Sequence, residues 1–324
     1  MFVILEGVDG AGKSSLAQEL HSTMKNCRLI HKGPPQTDHL LREYLADVVW
    51  YRADDPDESN VVCDRWHLGE LVYPQLQRGR TSLATRETLG YLDLWLLSRG
   101  ALLVHVWADP MTVYYRRLGR GEAVVNVGEI HAEHNLFVRA VDAAPHPKLQ
   151  VDTGAGLSIS DIAAQVMLQA EAASTHVAPL ARFTSYVGPR APDVLLVGDE
   201  RGPDRAGSRL YGTAFVPLPH TSGSYLLQAL PDDLLVAGRV GIANVNEGDD
   251  VVSLWDTLGQ PPVVALGHNA YDGCVRSGLA DATTFGAVPH PQYVRRFHHS
   301  RVVDYGRLIV RAAQTKEDLR KWQQ

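Results

Sequence analysis

Short apolar runs bounded by turn residues alternate with longer stretches of helical period along this chain of 324 residues. In the first half the runs are "FVILEG" at 2–7, "VVCDRW" at 61–66 and "ALLVHVWA" at 101–108. After residue 192 the alternation restarts with "DVLLVGDE", "RVGIANVN" and "PPVVALGHNA". Continuous apolar runs of this length are the pattern of strands covered on both faces. Their alternation with helices predicts βα units and mostly parallel sheets. The stretch between the blocks, "AEAASTHVAPLARFTSYVGPRAP" at 170–192, has three prolines and weak periodicity, as linkers do. The expected organisation is α/β throughout: a first domain at 1–172, a linker at 173–192, and a second α/β domain at 193–324.

Composition narrows the classes. Hydrophobic residues make up 45% and charged residues 21%, ordinary for a globular chain, and the formal net charge of −6 announces no nucleic-acid partner by itself. Cys27, Cys63 and Cys274 are scattered and form no CxxC pair. That argues against a disulfide framework or a structural zinc site and fits a reducing cytoplasm. No apolar run approaches membrane-span length, so no membrane partner is expected. No leader is expected either, because Phe2–Leu5 already reads as a strand.

The strongest chemical signal is Gly7-Val8-Asp9-Gly10-Ala11-Gly12-Lys13-Ser14, with Ser15 following. It has the spacing of a phosphate-binding loop, G-x-x-x-x-G-K-[ST], with a strand before it and a helix after it. Glycines let backbone N–H groups wrap a phosphate, and the helix N-terminus adds partial positive charge. Lys13 then reaches the β- and γ-phosphates of ATP, and Ser14 ligates Mg²⁺. Such loops serve kinases, GTPases and motor ATPases alike.

Three blocks resemble the thymidylate kinase family over about residues 1–168: "ILEGVDGAGKSS", "VVCDRWHLGELVYPQ" and "ADPMTVYYRRLGRGE". Glu133 and Phe137 in "AEHNLFVRAV" form a fainter fourth. The resemblance implies an ATP- and Mg²⁺-dependent phosphotransferase on a P-loop sheet flanked by helices. It implies that Asp9 faces the acceptor nucleotide and that Asp64 sits with Ser14 near the metal. It places Arg65, Trp66 and Arg117 at the acceptor. Arg116, Arg117 and Arg120, from a lid, neutralise charge on the transferred phosphoryl group. Their plain alternative is a solvated helix face. The run Asp64-Arg65-Trp66-His67-Leu68-Gly69-Glu70 departs from the family pattern, which carries Tyr or His after Asp-Arg and then a small residue. That departure puts ordinary dTMP in question as the acceptor.

The second block resembles the uracil-DNA glycosylase superfamily over residues 193–311. The matches are Asp199 within the Gly198–Gly202 loop, Phe215, Ser222-Gly223, Asn244 and His290-Pro291. The resemblance implies a slot in which Phe215 stacks on a base, Asn244 reads its edge and His290 approaches the sugar. Glu200-Arg201 departs from the usual loop, and no iron–sulfur cysteine set is present. Acids outnumber arginines across 185–311, and lysine is absent there. Yet Arg295, Arg296, His298, His299 and Arg301 cluster after the His-Pro pair, as a DNA phosphate contact or a solvated cluster would.

A kinase of a modified thymine within DNA would have use for a slot that takes an extruded base. One viral branch of the thymidylate kinase family, the 5-hydroxymethyldeoxyuridine DNA kinases of thymidine hypermodification, has that chemistry. The favoured expectation is therefore transfer of the ATP γ-phosphate to the 5-hydroxymethyl group of a thymine-type nucleotide in DNA. Three alternatives stay open: a dTMP-type monophosphate kinase, a glycosylase acting on uracil-like bases, and an ATPase fused to a non-catalytic DNA-binding module. No motif encodes the oligomeric state.

Overall fold

The structure, a computed structural model, describes residues 1–37, 40–48, 60–76, 84–122, 126–183, 185–199, 214–215, 221–245, 250–281, 284–298 and 301–314. In chain order the first elements are β1 (Phe2–Glu6), α1 (Lys13–Thr23), β2 (Cys27–His31), α2 (Leu40–Val48), β3 (Asn60–Asp64), α3 (Gly69–Leu76) and α4 (Arg86–Ser98). Then come β4 (Ala101–Trp107), α5 (Pro110–Gly119), α6 (Val127–Ala143), β5 (Lys148–Asp152) and α7 (Ile159–Val177). The second half holds β6 (Val194–Gly198), α8 (Ser222–Ala229), α9 (Asp232–Leu235), β7 (Val240–Asn244) and α10 (Val251–Thr257). It closes with β8 (Val263–Leu266), α11 (His268–Ser277), β9 (Phe285–Val288), α12 (Pro291–Phe297) and α13 (Val302–Gln314). The chain is α/β, and its strands form two sheets whose named pairings are all parallel.

The first compact unit is Met1–Thr85 with Arg99–Ala178. Its sheet runs β2-β3-β1-β4-β5. β1 lies at the centre and is buried along its whole length, because β3 and β4 flank it and helices cover both faces. Val3, Leu5, Val104 and Val106 meet Leu16, Leu20, Phe137 and Val166 from α1, α6 and α7 in one core. This strand order, with a glycine-rich loop leading from the central strand into a helix, is a P-loop fold. α7 runs on to Val177, so residues 173–177 are helical. Among the described residues no helix is long and apolar enough to cross a membrane.

The second unit is Arg86–Ser98 with Pro179–Gln324, and its sheet runs β7-β6-β8-β9. The chain therefore passes between the units more than once, since α4 precedes β4 in sequence but packs with the second unit. Arg86 ties α4 down by donating to the carbonyl oxygens of Leu227, at 3.0 Å, and of Leu230, and by pairing with Asp232. The Tyr91 hydroxyl donates to the Ala214 carbonyl at 2.9 Å, and bare Gly90 lets Leu235 approach the helix.

α13 reaches its neighbours through two glycine contacts. A Cβ on Gly306 would stand 2.0 Å from the Ala229 carbonyl oxygen of α8, and one on Gly286 of β9 would stand 2.3 Å from the Ala312 carbonyl oxygen. Backbone cannot yield as a flexible side chain can. Gly306→Ala should therefore cost about 1–3 kcal/mol by overpacking. A thermal unfolding scan should show this as a lowered midpoint, and an unchanged midpoint would contradict the contact.

Candidate active site

The first site is built where β1 and β3 end. Gly7, Gly10 and Gly12 have φ of 144°, 90° and 98°, so the loop turns through conformations that L side chains rarely adopt. Gly7 is also a close approach, since a Cβ there would lie 2.2 Å from the Val106 carbonyl oxygen on β4. Val8 and Ala11 are buried beneath the loop, while Ser14 and Ser15 are exposed at the first turn of α1. Lys13 is 4% exposed, and its Nζ donates to the carbonyl oxygens of Gly7 and Val8 at 2.6 and 2.8 Å. Burial pushes its ammonium below the ordinary lysine value, and Asp9 opposes this.

The structure brings Ser14 and Asp64 together. The Ser14 hydroxyl donates to Asp64 Oδ2 at 2.7 Å. The same oxygen faces His31 Nδ1 of β2 at 2.9 Å. The other oxygen, Oδ1, is buried with no hydrogen-bond partner. A buried carboxylate oxygen lacking a partner beside a serine hydroxyl is a hard-oxygen donor set that suits Mg²⁺. His31 was not foreseen from the sequence; its one signal is its place at the C-terminal end of β2, where open α/β sheets bind ligands.

Asp9 is the hub of the loop. Its Oδ1 accepts from Arg65 Nη2 at 2.6 Å and from the Tyr73 hydroxyl at 3.2 Å, with Lys13 Nζ 3.5 Å away. Burial alone would push the Asp9 carboxyl up, but Lys13, Arg65 and Arg117 together hold it below its ordinary value. Arg65 sits at φ 68°, and its N–H donates to the Leu5 carbonyl. Glu6, also missed by the sequence reading, locks the turn that follows. Its Oε1 accepts from the N–H groups of Trp66 and Leu68 at 3.0 and 3.1 Å, and burial pushes its carboxyl up.

Two residues expected at the acceptor, Arg117 and Trp66, differ from expectation in what they do. Arg117 is not free to reach an acceptor. It is 5% exposed, its Nε donates to the Asp9 carbonyl at 2.7 Å, and its Nη2 meets Glu133 Oε2 at 3.0 Å. It ties α5 and α6 to the loop. Trp66 is likewise 1% exposed. Its ring lies edge-on to Tyr44 at 5.3 Å and packs against Phe2 and His67, so packing occupies it. Glu70 is also buried.

Arg116 spans the loop, donating to the Gly10 carbonyl at 3.2 Å, to Thr153 Oγ1 at 2.9 Å and to the Thr153 carbonyl at 3.0 Å. Thr153, at the end of β5, in turn donates to the Ala11 carbonyl at 2.6 Å. Beside them opens a cleft of about 430 Å³, bordered by Gly10, Gly12, Ser15, Arg116 and Arg120, with Leu157 and Ile159 adding apolar surface. Its size suits a nucleotide. Arg120 is half exposed and pairs with Glu122 at 2.7 Å.

No family model matches the chain, and no curated protein matches it. Among solved structures, the chain is similar to the YorR protein of Bacillus subtilis in complex with phosphorylated GDP, at 22% identity and TM-score 0.44. The match covers 53% of this chain and 96% of that one. It is also similar to the deoxyadenosine kinase of M. mycoides with bound dCTP, at 16% identity and TM-score 0.35, covering 53% and 100% of the two chains. The P-loop fold of the first unit is fixed by its strand order and by the geometry of its glycine loop.

A second cluster lies in the other unit, at the C-terminal ends of β6 and β7. Gly198 pairs with Asn244 across these strands. A Cβ on Gly198 would lie 2.2 Å from Phe215 Cε2 and 2.6 Å from Asn244 Oδ1. The Phe215 ring and the Asn244 carboxamide therefore both rest on the bare Cα. Asn244 is 1% exposed, and its Oδ1 has no hydrogen-bond partner. Phe215 is half-buried at φ 51°, with its ring 6.2 Å from that of His290. His290 caps α12 through Nδ1, which accepts from the Gln292 N–H at 3.2 Å. Burial lowers its pKa, opposed by Asp199. Asp199 accepts from Asn269 Nδ2 at 2.9 Å. Ser222 and Gly223 open α8, behind the Thr221 cap. Arg295 lies on α12, half-buried, with its Nε unpartnered. Glu200, Arg201, Gly202 and His299 fall outside the described residues.

The two arginine types can be told apart by measurement. Removing Arg117 leaves Glu133 as an uncompensated buried charge, so Arg117→Ala should destabilise the protein by about 3–5 kcal/mol. Arg120→Ala removes an exposed pair and should cost no more than about 1 kcal/mol. Denaturant unfolding of both variants checks this. Equal effects would place Arg117 outside the packed interior.

Proposed function

We propose that the chain is an ATP-dependent, Mg²⁺-requiring kinase. Its acceptor is a thymine-type nucleotide, in the favoured case the 5-hydroxymethyl group of 5-hydroxymethyldeoxyuridine in DNA. The observation that carries the kinase reading is the contact of the Ser14 hydroxyl with Asp64 beside a buried Lys13, at the mouth of a nucleotide-sized cleft. Ser14 and Asp64 would hold Mg²⁺, which when bound neutralises charge on the ATP phosphates.

The remaining chemistry falls to the protein's own groups. Phosphoryl transfer needs positioning and charge compensation more than covalent catalysis. In the favoured case the 5-hydroxymethyl oxygen gives up its proton to solvent and forms its bond to the γ-phosphorus as the bond to the bridging oxygen breaks, releasing ADP. Lys13 supplies fixed positive charge at the β- and γ-phosphates. Arg116 borders the same cleft from α5, and half-exposed Arg120 is placed to approach the transferred group. Asp9 and Arg65 orient the acceptor at the edge of the loop.

Support for a base within DNA comes from the second unit. The carboxamide of Asn244 offers a donor and an acceptor side by side, and its Oδ1 is buried without a partner. A buried polar atom of that kind costs free energy unless a ligand satisfies it. The edge of a uracil-type base does so, with Phe215 as its stacking face and a neutral His290 close by. The Asp9–Arg65–Tyr73 cluster favours a second reading, in which a free monophosphate such as dTMP is the acceptor.

The test is to incubate the protein with labelled ATP and Mg²⁺, and with either 5-hydroxymethyluracil-containing DNA or dTMP. Label is expected on the DNA. Label on dTMP alone would replace this reading with the monophosphate kinase. Lys13→Ala should lower kcat by roughly two or more orders of magnitude, by analogy with loss of one preorganised stabilising donor. Full activity in a folded Lys13→Ala protein would remove the kinase altogether.

A further inference from the structure

We infer that the outer face of α12 is a stacking platform for unpaired bases, so that the second unit grips single-stranded DNA beside its base slot. The inference extends the proposed DNA acceptor, but it stands on separate residues. Tyr293 and Phe297 are 52% and 66% exposed. They lie four residues apart on one face of the helix, with ring centroids 5.0 Å apart and planes inclined by 45°. His298 joins the strip, with its ring 5.9 Å from Tyr293. Single exposed apolar residues are ordinary. Two large aromatics braced against each other in solvent form a contiguous patch, and each ring has already lost part of its freedom.

The charge around the patch names its partner. Arg295 and Arg296 occupy the last turn of α12, and Arg301 follows just before α13. α12 itself contains no acid, although acids outnumber arginines in this half of the chain. Arginines at a helix C-terminus are favoured by the macrodipole alone. That accounts for their sign and not for the exposed rings on either side of them in the sequence. Arg296, three residues from Tyr293, shares the side of the two rings, whereas half-buried Arg295 faces away from them. Aromatic faces beside arginines are a combination that holds nucleic-acid strands: rings stack on bases and guanidinium groups meet phosphates. A protein-binding patch would instead show charge depleted at its centre.

A single strand is favoured over a duplex by geometry. Paired bases are already covered on both faces by their neighbours, whereas an unpaired base offers a face to a ring on a convex helix surface. The platform also adjoins the slot. α12 is capped by His290, whose ring neighbours Phe215. Tyr293 and Phe297 then lie roughly 4 and 10 Å further along the helix axis, at a rise of about 1.5 Å per residue. A strand with one base in the slot would pass the platform with its next bases.

The experiment is fluorescence anisotropy with a dye-labelled oligothymidylate and with a duplex of equal length, without 5-hydroxymethyluracil and without ATP. The full-length wild type is expected to bind the single strand more tightly than the duplex. Tyr293→Ala with Phe297→Ala should weaken single-strand binding by roughly ten- to a hundred-fold, from the worth of one or two base–aromatic stacks. The duplex should be little affected. Tyr293→Phe with Phe297→Tyr, which keeps both rings, should bind like wild type, and Arg296→Ala with Arg301→Ala, both exposed, should flatten the salt dependence. Thermal unfolding of each variant checks folding. Unchanged single-strand binding in a folded double-alanine variant would overturn the platform, as would wild-type preference for the duplex. Label transfer is scored separately: its failure sinks the proposed acceptor and leaves the platform standing if the rings govern binding.

Discussion

How closely the loop after β1 is held against its surroundings decides what the first unit can do with a phosphate. Gly7 passes so near the Val106 carbonyl of β4 that no side chain fits. That contact turns the chain directly off the central strand and aims the N-terminus of α1 outward. Arg117 then holds the Asp9 carbonyl from above while Glu133 holds Arg117. Arg116 and Thr153 tie the Gly10 and Ala11 carbonyls from the other side. With those carbonyls engaged, the loop is braced from α5, α6 and β5 before any ligand arrives, so less ordering remains to be done on binding.

The electrostatics follow from the same bracing. Asp9 is buried enough that its carboxyl would rise, yet three cations outweigh the burial. The negative charge is therefore retained inside the loop, where it fixes Arg65 and steadies Lys13. Glu6 acts one residue before the loop. By accepting two N–H groups of the β3–α3 turn, it holds Arg65 in a left-handed conformation that a bulky residue would not choose unaided. Asp64 and Ser14 thus meet beside a loop and turn held by Glu6, Asp9 and Arg65.

The second unit uses a related arrangement. A bare Cα at the end of β6 admits a ring and a carboxamide together, and the oxygen of that carboxamide is left without a partner. Parallel sheets place such positions at the C-terminal ends of their strands, where loops diverge and ligands enter. The exposed rings of α12 stand next along the chain from the residue that closes this cluster.

The sequence by itself determined the α/β class and the strand–loop–helix at the N-terminus, whereas the contact of Ser14 with Asp64, implied there only by the family resemblance, is made by the fold. The class and the loop are local or motif-encoded: a glycine pattern fixes backbone conformations. The likeness to the uracil-DNA glycosylase superfamily also grouped Phe215, Asn244 and His290, which lie far apart along the chain. Only the tertiary structure decided which polar and aromatic residues are spent in the interior. Arg116 and Arg117 are neighbours in sequence, yet one borders the cleft and the other is sealed against Glu133. Trp66 follows half-buried Arg65 but faces the core. α4 reads as part of the first block and packs in the second unit, because Arg86, Gly90 and Tyr91 find their partners more than a hundred residues later. Burial and partnership of this kind depend on contacts distant in sequence, and no local period or spacing records them.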